Sequence, residues 1–395
     1  MKIKSLLLGS AAALAMASGA QAADAIMAAQ PEPVDYVRVC DAFGTGYFYI
    51  PGTETCLKFS GYVRENVQGG SLLGNNGGHS WNAGGRFAFN TDTKSNTELG
   101  VLHTYTQLRF DWSNGGTGID GGLDDYSNSS DTKAYVKFAY IELGGFRVGK
   151  KESEFYDFSF YPHGYAGGVI NDTIIGYGPG DAQEISYTYK GSNGLLAFIG
   201  VEDDNNGDHN SEWRPGVVGY VNDGSDDGDY IPDVLAGLGY NAGVWSVGVI
   251  GAYDSSLEEG AIKARADVQV GKVNAFIMGG WSSNGDETGE RGCTAYSILS
   301  CGSNHYATWG GDWALWGGLS ADLTQKVSAN LQLSYDDDEN FGAAGNLVFH
   351  LVPGFDVTTE VDYAKSGGEG IRYKEIGNGN DDDAWGGVVR FQRTF

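Results

Sequence analysis

The sequence predicts an all-β protein: a transmembrane antiparallel β-barrel of about 16 strands. Three observations lead there. Apolar and polar residues alternate with a period of two along most of the chain, the pattern of strands with one oily and one wet face. The connectors between these stretches switch between short and long. The chain closes on an alternating stretch, "WGGVVRFQRTF", that runs to its last residue, Phe395. There Trp385, Gly387, Val389, Phe391, Arg393 and Phe395 share one side, and Gly386, Val388, Arg390, Gln392 and Thr394 share the other.

Residues 1–22 read as a secretory signal peptide. Lys2 and Lys4 precede an apolar core from Leu6 to about Ala17, and Ala20-Gln21-Ala22 supplies a small-x-small cleavage site. The apolar core is short for a membrane anchor. The mature chain then begins near Ala23, with residues 23–55 as an N-terminal periplasmic segment and 56–395 as the barrel. No later apolar run approaches the roughly 18 residues of a spanning helix.

Strand candidates begin near residues 56, 81, 97, 131, 145, 183, 194, 232, 243, 259, 273, 305, 326, 340, 355 and 384. In "KARADVQV", Lys263, Arg265, Asp267 and Gln269 oppose Ile262, Ala264, Ala266, Val268 and Val270. "ALWGGLSADL", "ANLQLSYD" and "FDVTTEVDY" repeat the pattern, the last setting Thr358, Glu360 and Asp362 against Phe355, Val357, Thr359, Val361 and Tyr363. Short connectors ("TKSN", "GSNG", "NAG", "TQK", "VPG") alternate with long polar ones at 68–80, 113–130, 152–182, 203–231, 284–304 and 368–383, broken only by two short ones near 255–258 and 336–339. Segregating loop length to one side is the layout of an outer-membrane barrel. An even strand count brings the last strand beside the first, and closure leaves no unpaired backbone edge in lipid. Phe395 then lies at the periplasmic rim. Phe59, Trp112, Trp281, Trp309, Tyr335, Phe355 and Trp385 are expected in the aromatic girdles.

Acidic residues number 51 and basic residues 25; without Lys2 and Lys4 the balance is 23 against 51, a net −28. That excludes a nucleic-acid partner, which requires a basic footprint. Glycine is abundant (63) and proline rare (8), which suits many turns joined to uninterrupted strands. Cys40, Cys56, Cys293 and Cys301 are an even set in an exported chain; three pairings are possible, and proximity favours Cys40–Cys56 and Cys293–Cys301. No Cys/His spacing suits zinc.

Residues 34–66, "VDYVRVCDAFGTGYFYIPGTETCLKFSGYVREN", resemble the N-terminal signature of the alphaproteobacterial outer-membrane porin family, and "ELGVLHTYTQLRF", "AYVKFAYIELGGFRVGK" and the terminal "FQRTF" resemble other family segments. Arg393 departs from the aromatic often found two places before a terminal Phe. The resemblance implies a sixteen-stranded general-diffusion porin, a homotrimer in outer-membrane lipid and lipopolysaccharide that passes small hydrophilic solutes. It also implies that the third long loop, about 152–182, folds into the lumen.

The expected constriction follows. Its loop side carries Glu152, Glu154, Asp157, Asp172 and Asp181. Its wall side carries Lys58, Arg64, Arg86, Arg109 and Lys137, which strand parity turns inward because Phe59, Val63, Phe87, Leu108 and Phe138 take the outer face. An acidic loop facing a basic wall sets a transverse field and biases ion passage. Barrel closure falls to Phe391 and Phe395. The acidic loops "EDDNNGDHN", "NDGSDDGD" and "GNGNDDDAW" suit Ca2+ or plain solvation, and no cofactor is expected. A substrate-selective channel for a sugar, an anion or a cation is the near alternative. A plugged adhesin or an enzymatic barrel is the distant one: there is no G-x-S-x-G elbow, and the six histidines are scattered.

Overall fold

The computed structural model describes residues 38–73, 81–113, 132–158, 161, 168–172, 174–203, 231–255, 257–283, 285, 304–367 and 383–395. Its strands are β1 (Phe48–Tyr49), β2 (Cys56–Gly70), β3 (Trp81–Thr97), β4 (Gly100–Ser113), β5 (Thr132–Leu143), β6 (Phe146–Glu152), β7 (Asp181–Lys190), β8 (Leu195–Asp203) and β9 (Asp233–Asn241). They continue as β10 (Trp245–Asp254), β11 (Glu259–Val270), β12 (Val273–Ser282), β13 (Trp313–Asp322), β14 (Val327–Asp336), β15 (Phe341–Val352), β16 (Phe355–Lys365) and β17 (Asp383–Thr394). From β2 onward each strand pairs antiparallel with the next, and β17 pairs back onto β2 from Gly386↔Gly70 to Thr394↔Tyr62. The result is a closed sixteen-stranded barrel, with β1 added to the lower edge of β2.

Closure runs to the last residue. The Gly61 amide donates to the Phe395 carbonyl and the Phe395 amide donates to the Gly61 carbonyl, both at 3.0 Å. Phe395 and Phe391 lie on the outer face, and the Phe395 ring stacks 6.5 Å from Phe87. Arg393 donates from Nη1 to the Pro353 carbonyl in the adjacent short turn, so its charge sits at the rim rather than in mid-bilayer.

Seven short turns lie at one end and eight connections at the other, six of them long. Gly144 and Gly271 open two-residue turns with φ of 63° and 63°, a left-handed conformation that glycine adopts without a Cβ clash. The outer face of β8 to β15 is almost wholly aliphatic and aromatic, including Ile199, Leu238, Val247, Ile262, Ile277, Leu315 and Leu333.

Three expectations change. Strand β13 starts at Trp313 rather than near 305. Residues 304–312 instead pack inside, where Tyr306 and Trp309 are fully buried; Trp309 is therefore no girdle residue. Strands β6 and β7 extend to Glu152 and from Asp181, so the third long connection spans 153–180. Finally, a register shift between β4 and β5 makes Lys137 an extra residue. Phe138 then faces Gln107 across the pair and turns into the lumen beside Tyr105, opposite to the parity expectation.

Candidate pore constriction

The inside of the barrel has two unlike halves. From β8 to β13 the inward side chains include Leu196, Phe198, Leu235, Ile250, Phe276, Met278 and Trp316, all buried. An apolar wall inside a wet barrel needs a cover, and segment 153–180 supplies one: Phe155, Phe158, Tyr161, Ile174, Ile175 and Tyr177 join the same buried cluster. Glycines make room for it. A Cβ on Gly248 would meet Tyr161 at 2.9 Å, and one on Gly342 would meet Ile174 at 2.7 Å.

The segment leaves β6 through one helical turn, α1 (Glu154–Asp157), capped by the Ser153 hydroxyl accepting from the Phe155 amide. Arg147 donates to Glu154 at 2.8 Å, Glu184 at 3.1 Å and Glu142 at 2.7 Å. The Glu154 amide donates to Glu202. Farther on, the Tyr161 hydroxyl bonds Ser246 and Asp267 at 2.6 and 2.8 Å. The returning limb is held by β13 to β16: Trp316 Nε1 donates to the Ile175 carbonyl, Gln332 to the Asp172 carbonyl and Asn346 to the Gly168 carbonyl. The amides of Ile170 and Asn171 both donate to Glu360, and the Asn171 side chain donates to Asp362. The segment is thus tied to inward residues on both sides of the lumen.

The other half, β17 and β2 to β4, is polar and carries a row of arginines. Arg64 and Arg86 are directly paired across β2 and β3; Arg390 on β17 donates to Asn66 and Arg109 on β4 donates to Gln107. Arg64 donates to Gln392 at 2.8 Å, and Arg86 grips Asp111 through two 2.7 Å bonds.

The expected residues separate into groups. Glu154 and Asp157 stand at the root of the segment, bound by Arg147 and Lys151. Burial pushes the Asp157 carboxyl up to about 7; Glu154 and Glu152 add to the rise and Lys151 opposes it. Glu152 and Asp181 face each other at the ends of β6 and β7, on the side of exposed Ile185 and Tyr187, and both bind Lys137. Asp172 lies on the returning limb. Lys58 is at the short-turn mouth, its Nζ 5.7 Å from the Tyr47 ring. Tyr47 belongs to the hairpin that Cys40–Cys56 closes, and its hydroxyl bonds Asp92 on the inner wall. The 38–55 stretch therefore packs against the barrel mouth. Cys293 and Cys301, the signal segment and most of the acidic loops lie outside the described residues. The residues that sequence reasoning missed are Arg147, Lys151, Lys263, Glu202 and Arg390. Their inward parity was readable; their partners across the lumen were not.

A closed antiparallel barrel with an apolar outer band, a polar half of its interior left open and an apolar half covered by inward-packed chain defines a membrane channel scaffold. A family model described as "Porin subfamily" matches residues 24–388, and the chain belongs to that porin family. It is 47% identical to Porin Omp2b of Brucella suis over 397 residues, covering all of both chains, and 47% identical to Porin Omp2b of Brucella canis over the same length. Among solved structures, the outer membrane channel DcaP of Acinetobacter baumannii aligns with a TM-score of 0.56 at 13% identity, over 88% of this chain and 99% of that one. An anion-selective porin from Comamonas acidovorans aligns with a TM-score of 0.51 at 15% identity, over 87% and 100%. The protein is an outer-membrane channel for passive diffusion, and not an enzyme.

Proposed function

We propose that segment 153–180 is the constriction of a general-diffusion pore, that small hydrophilic solutes and ions pass between it and the arginine row, and that the chain works as a homotrimer after cleavage of a signal peptide near Ala22. The observation that carries the constriction is the set of bonds from Tyr161, Gly168, Ile170, Asn171, Asp172 and Ile175 to inward residues of β10 to β16. A segment so placed leaves the passage on the β17–β4 side, where Arg390, Arg64, Arg86 and Arg109 bias which ions enter.

The trimer reading rests on the outer face of β2 to β4. Glu65 lies there beside Val63 and Val67, opposite Phe391 and Gly85, and makes no ion pair among the described residues. Thr91, Thr93, Thr104 and Thr106 share that face in register. Lipid is a poor cover for a carboxylate, whereas a second copy of the chain supplies polar partners.

Single-channel conductance of refolded protein in a planar bilayer tests the proposal. Large steps grouped in threes, without saturable block by added sugars, are expected. Saturable block by one sugar class would make the channel selective, and silent, correctly folded protein would refute diffusion altogether.

A further inference from the structure

Lys263, on β11, is completely buried and makes no ion pair among the described residues. Its Nζ donates at 2.7 Å to the Tyr177 carbonyl and at 3.4 Å to the Tyr156 carbonyl. The same nitrogen lies 4.8 Å from the Phe155 ring centroid, 4.9 Å from Phe158 and 5.9 Å from Tyr177. Tyr156 and its neighbours belong to the limb that leaves β6; Tyr177 belongs to the limb that returns to β7.

A buried ammonium is costly unless its hydrogens find acceptors and its charge finds a compensating field. Here carbonyl oxygens from two chain segments and the negative faces of three rings take the place of water. A leucine or methionine would fill the same apolar pocket at no electrostatic cost, so the charge itself is what needs a reason. Only a group with several donors can hold both limbs at once. The neighbouring inward residues extend the contact: Arg265 pairs with Asp267 at 2.8 Å, and Asp267 accepts from Tyr161. Strand β11 is therefore a rail along which the crossing segment lies.

We propose that Lys263 is a positioning residue that fastens the two limbs of segment 153–180 together and to the wall, and so sets the width of the passage. The inference rests on the reading of that segment as the constriction. Loss of the ammonium frees the limbs to separate, giving a wider and noisier pore in a barrel whose sixteen strands are unchanged.

The test compares side chains of equal length that differ only in the terminal ammonium, its charge and its donors together. In a background lacking the four native cysteines, Lys263→Cys is alkylated while unfolded with 2-bromoethylamine, which restores an ammonium at lysine length, or with 1-bromopropane, which gives an uncharged chain of that length. Both are refolded and checked for barrel melting and heat-modifiable gel mobility; Lys263→Met, inserted in cells, repeats the uncharged case. The aminoethyl form should conduct as the background does, and the propyl and Met forms should conduct about 1.5-fold more, with added open-channel noise. Equal conductance in charged and uncharged forms overturns the inference. Deletion of residues 162–175 in parallel separates the two claims. If the deletion widens the pore while the propyl form does not, Lys263 alone is misassigned; if the deletion changes nothing, the constriction reading falls and this inference with it.

Discussion

Arg147 Nη1 stands 2.8 Å from Glu154 Oε1 and 3.1 Å from Glu184 Oε1, so one guanidinium on the barrel wall holds both the first turn of the crossing segment and the strand that follows it. Glu154 is fully buried and Arg147 nearly so. Removing one member of such a group leaves the others desolvated without a counter-charge. Arg147→Met should cost about 3 kcal/mol in denaturant unfolding from detergent. Glu154→Gln, which keeps a hydrogen-bonding oxygen, should cost less than half as much.

The arginine row on β17, β2 and β4 predicts ion preference. Replacing Arg64, Arg109 and Arg390 together by Gln removes three positive charges from the side of the lumen that the segment leaves open. The reversal potential in a KCl gradient should move toward cations, with the cation-to-anion permeability ratio rising about threefold. The same substitutions should leave melting of the barrel nearly unchanged, since Asp111 and its partner Arg86 are untouched.

Asp157 predicts a pore sensitive to pH. Its carboxyl is raised to about 7, chiefly by burial. The folded chain therefore holds this proton up to near pH 7, whereas an unfolded aspartic acid releases it near 4. Ionisation above pH 7 costs the folded state, so this group's contribution makes stability fall as pH rises from about 4 to 7. In the pore, the negative charge beside Lys151 is lost as pH falls below about 7. Selectivity measured between pH 8 and pH 5 should move toward anions, and Asp157→Asn should remove most of that movement.

Glu65 separates a lipid-facing wall from a subunit contact. If lipid covered β2 to β4, Glu65→Leu would stabilise the barrel and leave its assembly alone. With a second copy on that face, the same change should shift unheated protein from trimer to monomer on a gel and lower the temperature of that transition. Ile277→Leu, on the aliphatic face of β12, should do neither.

Much of the fold was legible because alternation and turn chemistry are local. The strand faces of β11, β14 and β16, and the closure by "WGGVVRFQRTF", follow from period two alone. Failures came where a single residue broke the count or where the context was distant. The extra residue Lys137 reversed Phe138, and no local signal marks a bulge whose cause is the neighbouring strand. Trp309 sits in a polar, glycine-rich stretch that mimics the start of a strand, yet its ring packs between Trp316 and Phe155, the latter far away in sequence. The loop carboxylates were expected to face Lys58, Arg64, Arg86, Arg109 and Lys137; Glu152 and Asp181 bind Lys137, whereas Glu154 and Asp157 are bound by Arg147 and Lys151 beside them. Which inward charges meet across a lumen depends on how the barrel closes, and that is a property of all the strands together.

The most direct test of the account is polymer exclusion. Single-channel conductance is recorded while polyethylene glycols of increasing size are added, for the full chain and for a chain lacking residues 162–175. The full chain should exclude polymers that the shortened chain admits, because the crossing segment and not the sixteen-stranded wall sets the width. The same exclusion size in both would contradict it.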